Sequence, residues 1–315
     1  MSDDSPTPTQ ADSTPSTAST ETDHSRFNGI KRILRKTVQM YRGETLGQIG
    51  ALILLFFIFL ALFGPMLAPH DPMDVNRDDQ GDVLRISEPS SEHLFGTTNQ
   101  GRDIFSQVLH GARVSLIVGV VAAVFATTLG TNIGLLSAYY GGRVDDALMR
   151  LTDLMYGLPA LPFVVVLVFI LGSSFLNIIL VIALIQWRIT ARVIRSEALT
   201  VTEQPYITSA KTAGASDLRI IYLHVLPNVL PLVLLYMSLT TAWSVLMEAS
   251  ISFLGFGSPD MWSWGRIMHN VYNVGAIRRA WWWVAPPGIM IMLLVMSVFF
   301  IGRTLEKLTN PDLRH

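Results

Sequence analysis

Five stretches of this chain carry no charged side chain: 45–68, 114–142, 154–187, 226–247 and 284–302. An α-helix rises about 1.5 Å per residue, so about 20 apolar residues cross the roughly 30 Å hydrocarbon core of a bilayer. Each run is long enough to be a spanning helix. Only 15% of the 315 residues are charged and 50% are apolar, whereas soluble domains carry about 25% charged residues. The predicted fold class is therefore an all-α integral membrane protein with about six transmembrane helices.

The run 154–187 is too long for one span and is interrupted by Gly172-Ser173-Ser174 and Asn177. It reads as a tight helical hairpin whose first arm starts near Leu151 and whose second runs past Arg188. The chain then divides into a disordered tail plus basic segment (1–44), a first transmembrane helix (45–68) bounded by Pro65 and Pro69, an outer loop (69–111), and a core transmembrane domain (112–315). Residues 1–25 are rich in Ser, Thr, Pro and Asp, with no Lys or Arg. They bury too little apolar surface to offset ordering, and they lack the basic and apolar regions of a signal peptide. The loop 69–111 holds Asp71, Asp74, Asp78, Asp79, Asp82, Glu88, Glu92 and Asp103. Residues 250–280 read as an irregular loop, and Trp281-Trp282-Trp283 before the sixth span reads as an interfacial aromatic belt.

Lys and Arg flanking the spans orient them. With the N-terminus in the cytoplasm, the inside segments hold Arg26, Lys31, Arg32, Arg35, Lys36, Arg42, Arg143, Arg150, Arg188, Arg192, Arg195, Lys211, Arg219, Arg303, Lys307 and Arg314. The outside segments hold only Arg77, Arg85, Arg102, Arg113, Arg266, Arg278 and Arg279. The expectation is a cell-membrane protein, both termini cytoplasmic, with the polar loop 196–227 on the cytoplasmic face. Arg188, Arg192 and Arg195 fall on one helix face, where long side chains snorkel to the interface.

Several chemistries are excluded or disfavoured. The chain has no cysteine, hence no disulfide and no thiolate site, and its net charge of −1 gives no bulk attraction to nucleic acid. No Gly-x-x-x-x-Gly-Lys-Ser/Thr phosphate loop occurs, so the chain is not itself an ATPase. His70, His93, His110, His224 and His269 show no paired ligand spacing, and no metal site is expected. Glu248 falls at the outer edge of the fifth span, where a carboxylate bonded to backbone or paired with Arg113 is the expectation.

The loop 196–227 carries the functional signal. It reads Tyr206-Ile-Thr208-Ser209-Ala210-Lys-Thr-Ala-Gly214-Ala215-Ser216-Asp217, ending at Leu226-Pro227. Small residues at 209, 210, 213 and 215 admit close approach of another surface. Gly214 can end a short helix in the left-handed conformation. Asp217 can cap the next one, Ser216 and Asp217 both being good N-cap types, and Pro227 suits a helix start. This describes a helix–turn–helix on the cytoplasmic face presenting a small-residue knob.

The segment resembles the coupling loop of ABC-importer permeases, whose pattern is Glu-Ala-Ala, three residues, Gly, then a Leu-Pro pair. Ala210, Gly214, Leu226 and Pro227 match. Thr208 and Ser209 stand at the Glu and first Ala positions. Leu94-Phe-Gly96-Thr-Thr98-Asn-Gln-Gly101-Arg102-Asp103, Gly214-Ala-Ser-Asp-Leu-Arg and Ser252-Phe-Leu-Gly255-Phe-Gly257 narrow the resemblance to the dipeptide/oligopeptide/nickel branch, second permease type, over residues 45–312. Thr98 stands where that branch often has Asp. The resemblance implies the type I importer permease fold, with a cytoplasmic coupling helix and alternating access driven by two separate ATPase subunits. Those partners carry ATP and Mg, and this chain binds no cofactor. Further partners implied are a sister permease forming a heterodimer, an extracytoplasmic substrate-binding protein and membrane lipid. Tyr206, Thr208, Ser209, Ala210, Gly214, Ala215, Ser216 and Asp217 are the implied ATPase-coupling residues. The implied substrate is a di- or oligopeptide. Nickel import is the alternative within the branch, and an ATPase-independent carrier is the alternative of another class.

Overall fold

A computed structural model describes residues 44–309. The tail expected over 1–25, the basic residues of 26–42 and residues 310–315 lie outside the described part. The described helices are α1 (Thr45–Leu67), α2 (Ile104–Tyr140), α3 (Gly142–Gly157), α4 (Ala160–Leu171), α5 (Phe175–Thr202), α6 (Pro205–Thr212), α7 (Asp217–Ile220), α8 (Leu226–Ile251), α9 (Trp264–Asn273) and α10 (Trp281–Thr309). Among the described residues there is no strand, only the isolated bridges Arg77–Val83 and Thr97–Asp103 in the first connection. Among the described residues, five helical segments are long and apolar enough to cross a membrane, or six if the bent pair α3–α4 is one span.

The expected hairpin over 154–187 takes a different form. Its second arm is α5, as the break at Gly172 implies, with Ser174 Oγ accepting from the Asn177 N–H at the new helix start. Its first arm does not begin near Leu151. α3 and α4 meet at a 91° bend around Leu158-Pro159. Proline disfavours helical backbone in the residue before it, which ends α3 there. α4 is 12 residues long, or about 18 Å, too short to cross the hydrocarbon core alone.

Close packing on α2 holds the bundle together. A Cβ at Gly130 would lie 2.4 Å from Trp187 O, and one at Gly134 would lie 2.6 Å from Ala191 O. The α2 and α5 backbones therefore approach as only small residues allow, the usual device where lipid offers no hydrophobic drive for association. α1 turns Phe57, Leu60 and Gly64 inward and leaves Leu52, Leu55 and Leu62 exposed, so one of its faces is apolar surface suited to lipid.

Three further expectations change. Pro65 lies within α1 instead of ending it. Residues 250–280 are largely helical, with a π-helical turn at Ser252–Phe256 followed by α9. Of the tryptophan run, Trp283 is fully buried, Trp282 nearly so, and only Trp281 is exposed. Trp282 and Trp283 belong to a core that also contains Phe57 and Trp264, whose rings meet edge-on at 5.6 Å.

Candidate functional site

A second core lies where α2, α5 and the polar loop meet. Leu135, Ala138, Ile194, Ala198 and Val201 pack against Ile207, Ile220, Ile221, Val225 and Val229. Ile207 is the single buried residue of α6. It fastens that short helix to the bundle and leaves Tyr206, Thr208 and Ser209 exposed, along with the turn through Gly214.

The local sequence explains this shape. Pro205 at the first helical position of α6 has no N–H to leave unpaired, and its fixed φ suits a helix start. At the other end Gly214 adopts φ +81°. The Ala215 N–H donates to Ala210 O at 3.1 Å and the Gly214 N–H to Lys211 O at 3.0 Å. These are the two bonds of a Schellman motif, which satisfies carbonyls that the end of α6 would otherwise leave open. No atom lies within 4 Å of a Cβ built on Gly214, so glycine is required here for its backbone conformation, not for space.

The expected cap at Asp217 is corrected. Ser216 occupies the N-cap position of α7 with no side-chain cap bond, and Asp217 is the first helical residue. Asp217 instead accepts from the Tyr139 hydroxyl at 2.7 Å. Lys211 lies over the same tyrosine ring at 4.6 Å from its centroid. Tyr139 thus holds one residue from each side of the Gly214 turn. Leu226 and Pro227 begin α8 directly after the π-helical turn Ile221–Val225, so the loop runs without interruption into a membrane helix.

The arginine face of α5 has specific partners. Arg195 holds both carboxylate oxygens of Asp145 on α3, and Ser137 on α2 also donates to Asp145. Arg192 donates to Asp153 at 2.6 Å and lies 4.0 Å over the Tyr156 ring. These two side chains attach α3 to α5. No sequence pattern announced the pairing, because the partners lie 39 and 50 residues away.

On the other side of the bundle, Gly96, Gly101, Arg102 and Asp103 form an internal knot. Asp103 is fully buried and caps α2, accepting the Ser106 N–H at 2.7 Å. Its other oxygen lies 2.9 Å from His93 Nδ1. Thr98 Oγ1 accepts from the Gln100 and Arg102 N–H groups at 3.2 and 3.1 Å, doing for this turn what an aspartate carboxylate there would do. Arg102 and Arg266 flank Trp262, 5.8 and 4.8 Å from its ring. Burial, then the charge of Arg102, hold the Arg266 guanidinium below its usual pKa. Together with Asn270 and Asn273 these residues line a polar cavity of about 190 Å³.

Glu248, in the last turn of α8, meets side-chain hydroxyls instead of the backbone or Arg113 partner expected of it. It is buried at 2% exposure, accepts from Ser252 at 2.7 Å, and has the Ser115 hydroxyl 3.4 Å away. Although no histidine spacing suggested ligands, the structure brings His70, Glu92 and His93 together.

Comparisons with known proteins agree with this architecture. Residues 130–314 match the family described as binding-protein-dependent transport system inner membrane component. Residues 34–87 match the N-terminal TM domain of oligopeptide transport permease C. The chain is 34% identical over 287 residues to the probable D,D-dipeptide transport system permease protein DdpC of Escherichia coli, covering 91% of this chain and 92% of that protein. It is 31% identical over 276 residues to the oligopeptide transport system permease protein OppC of Bacillus subtilis, covering 87% and 88%. In fold it is similar to a chain of the MetNI methionine ABC transporter in inward facing conformations, with a TM-score of 0.52 and 17% identity, covering 66% of this chain and 97% of that one. With its spanning helices, its surface helix at 205–212 and these matches over most of its length, the chain belongs to the family of binding-protein-dependent transport system inner membrane components.

Proposed function

We propose that this protein is the pore-forming permease subunit of an ATP-driven importer. In this reading it pairs with a sister permease and moves di- or oligopeptides across the cell membrane. The observation that carries this reading is α6. It is a two-turn helix fastened inward by Ile207, closed by Gly214, and exposed along Tyr206, Thr208 and Ser209. A surface helix with small side chains and a rigid connection to α8 can transmit motion of a docked subunit to a membrane helix. Tyr206, Thr208, Ser209, Ala210, Gly214, Ala215 and Ser216 form the docking face. Asp217 supports it through Tyr139.

ATP and Mg belong to the docked subunits, and this chain contributes motion and a pathway. A soluble or lipid-anchored binding protein delivers substrate to the opposite face, and both termini lie in the cytoplasm. The peptide substrate class is supported by relatives named as dipeptide and oligopeptide permeases.

Co-purification from the native membrane tests the assignment. A complex holding two ATPases and a second permease, with peptide uptake lost when this chain is deleted, is the expected result. Peptide transport by this chain reconstituted alone contradicts it.

A further inference from the structure

The connection between α1 and α2 contains a cluster that the transport reading does not use. His70, Glu92 and His93 each place one ligand-type atom so that the three lie within 4.8 Å of one another. The two imidazole rings face each other with centroids 4.8 Å apart and planes 36° from parallel. We propose that these three side chains bind one divalent transition ion, with zinc the best match.

The orientation of His93 is the main argument. Its ring is buried at 3% exposure, and Nδ1 sits 2.9 Å from Asp103 Oδ1. The other oxygen of Asp103 is already engaged by the Ser106 N–H, so this carboxylate acts as an acceptor and His93 Nδ1 as the donor. That assignment leaves the lone pair on Nε2, which is buried and has no hydrogen-bond partner. A carboxylate holding one ring nitrogen while the other points at a ligand position is the usual support of a metal-binding histidine. His70 adds a second unpartnered buried nitrogen, Nδ1. Its backbone is fixed by its N–H donating to Ser106 Oγ at 3.2 Å. Two buried nitrogens without partners in one place call for an ion or water between them.

Donor chemistry selects the ion. Two neutral imidazoles and one carboxylate suit zinc and its neighbours, whereas calcium and magnesium prefer oxygen throughout. Zinc–nitrogen bonds of about 2.0–2.1 Å put two donors on a tetrahedral ion about 3.4 Å apart. The cluster therefore contracts on binding, by up to roughly 1.5 Å at its widest. Glu92 is exposed and His70 only half-buried, so both can move, while His93 is held in place. Water fills the fourth position. Bound there, the ion ties the chain leaving α1 to the cap of α2 through Asp103.

The test uses the full chain, purified with a tag free of histidine, stripped with chelator, and titrated with Zn²⁺ alone against a fluorescent zinc indicator. One equivalent is expected to bind, with Ca²⁺ failing to displace it. His70→Ala is the decisive variant, because its Nδ1 has no partner to lose. It should weaken zinc binding by at least the roughly 10–100-fold that loss of a ligand's supporting partner costs, and Glu92→Gln should weaken it less. His110→Ala, outside the cluster, should bind as the parent does. Zinc should raise the melting temperature of the parent and leave that of His70→Ala unmoved. Absence of a stoichiometric zinc equivalent overturns the proposal. So does retention of binding within threefold in His70→Ala, which would assign the ion elsewhere and leave the cluster to water.

Discussion

Tyr139, the residue before the end of α2, donates its hydroxyl to Asp217 Oδ1 at 2.7 Å, across 78 residues of sequence. Lys211 stands over the same ring. The surface helix α6 and the start of α7 are therefore both referenced to a membrane helix. Removing only the hydroxyl, as Tyr139→Phe, breaks one solvent-exposed bond to a charged group, a loss of about 1 kcal/mol. Amide exchange over 205–220 should rise about fivefold, since 1.4 kcal/mol is about a factor of ten. Tyr139→Ala removes the ring as well and should raise it further. Unchanged exchange in both variants would show that Ile207 alone fixes the unit.

Gly214 separates backbone conformation from space. Its φ of +81° is unfavourable for residues with a Cβ, yet nothing crowds the position. Gly214→Ala should cost about 1 kcal/mol and Gly214→Asn distinctly less, because asparagine tolerates this conformation. Thermal melts of the purified chain read the difference. Equal stability of both variants would mean that the turn is not held in this conformation.

The α2–α5 contact makes a sharper prediction. At Gly130 an added methyl meets backbone at 2.4 Å, whereas at Gly288 nothing lies within 4 Å. Gly130→Ala should destabilise the protein by about 1–3 kcal/mol through overpacking, and Gly288→Ala should be neutral or better. The relative resistance of the two variants to unfolding in detergent decides it.

The two arginine–aspartate pairs differ in exposure, and their energies should follow. Arg195 and Asp145 side chains are 29% and 18% exposed, against 49% and 64% for Arg192 and Asp153. Double-mutant cycles should give a coupling of about 1–3 kcal/mol for the first pair and under about 1 kcal/mol for the second. The reverse order would place the attachment of α3 on Tyr156 and Arg192 instead.

What was readable in the sequence follows from which forces act locally. The spans α1, α2, α8 and α10 are each marked by a charge-free run of their own, because bilayer thickness acts on length and polarity alone, whereas α5 shares the run 154–187 with α4 and continues past it through Arg188, Arg192 and Arg195. The turn at Gly214 was readable for the same kind of reason, since its bonds join residues five positions apart or fewer. The 91° bend at Leu158-Pro159 was hidden, because apolar residues continue on both sides of it. The partners of Arg192, Arg195 and His93, and the Ser115 hydroxyl near Glu248, were hidden because they come from other elements. Asp217 shows the limit most clearly. Its residue type suggested a cap, and only the placement of Tyr139 reveals that its carboxylate is occupied across the bundle.

The docking face can be measured directly because the chain has no cysteine of its own. Ser209→Cys and Ala213→Cys place a single thiol on the exposed side of the α6 unit, and Leu176→Cys places one at the exposed start of α5. Each is labelled with a benzophenone maleimide in native membranes and photolysed. Labels at positions 209 and 213 should capture an ATPase subunit, with a yield that changes when ATP is bound, and the label at 176 should capture none. Capture of the ATPase from position 176 but from neither 209 nor 213 would contradict the assignment of α6 as the coupling surface.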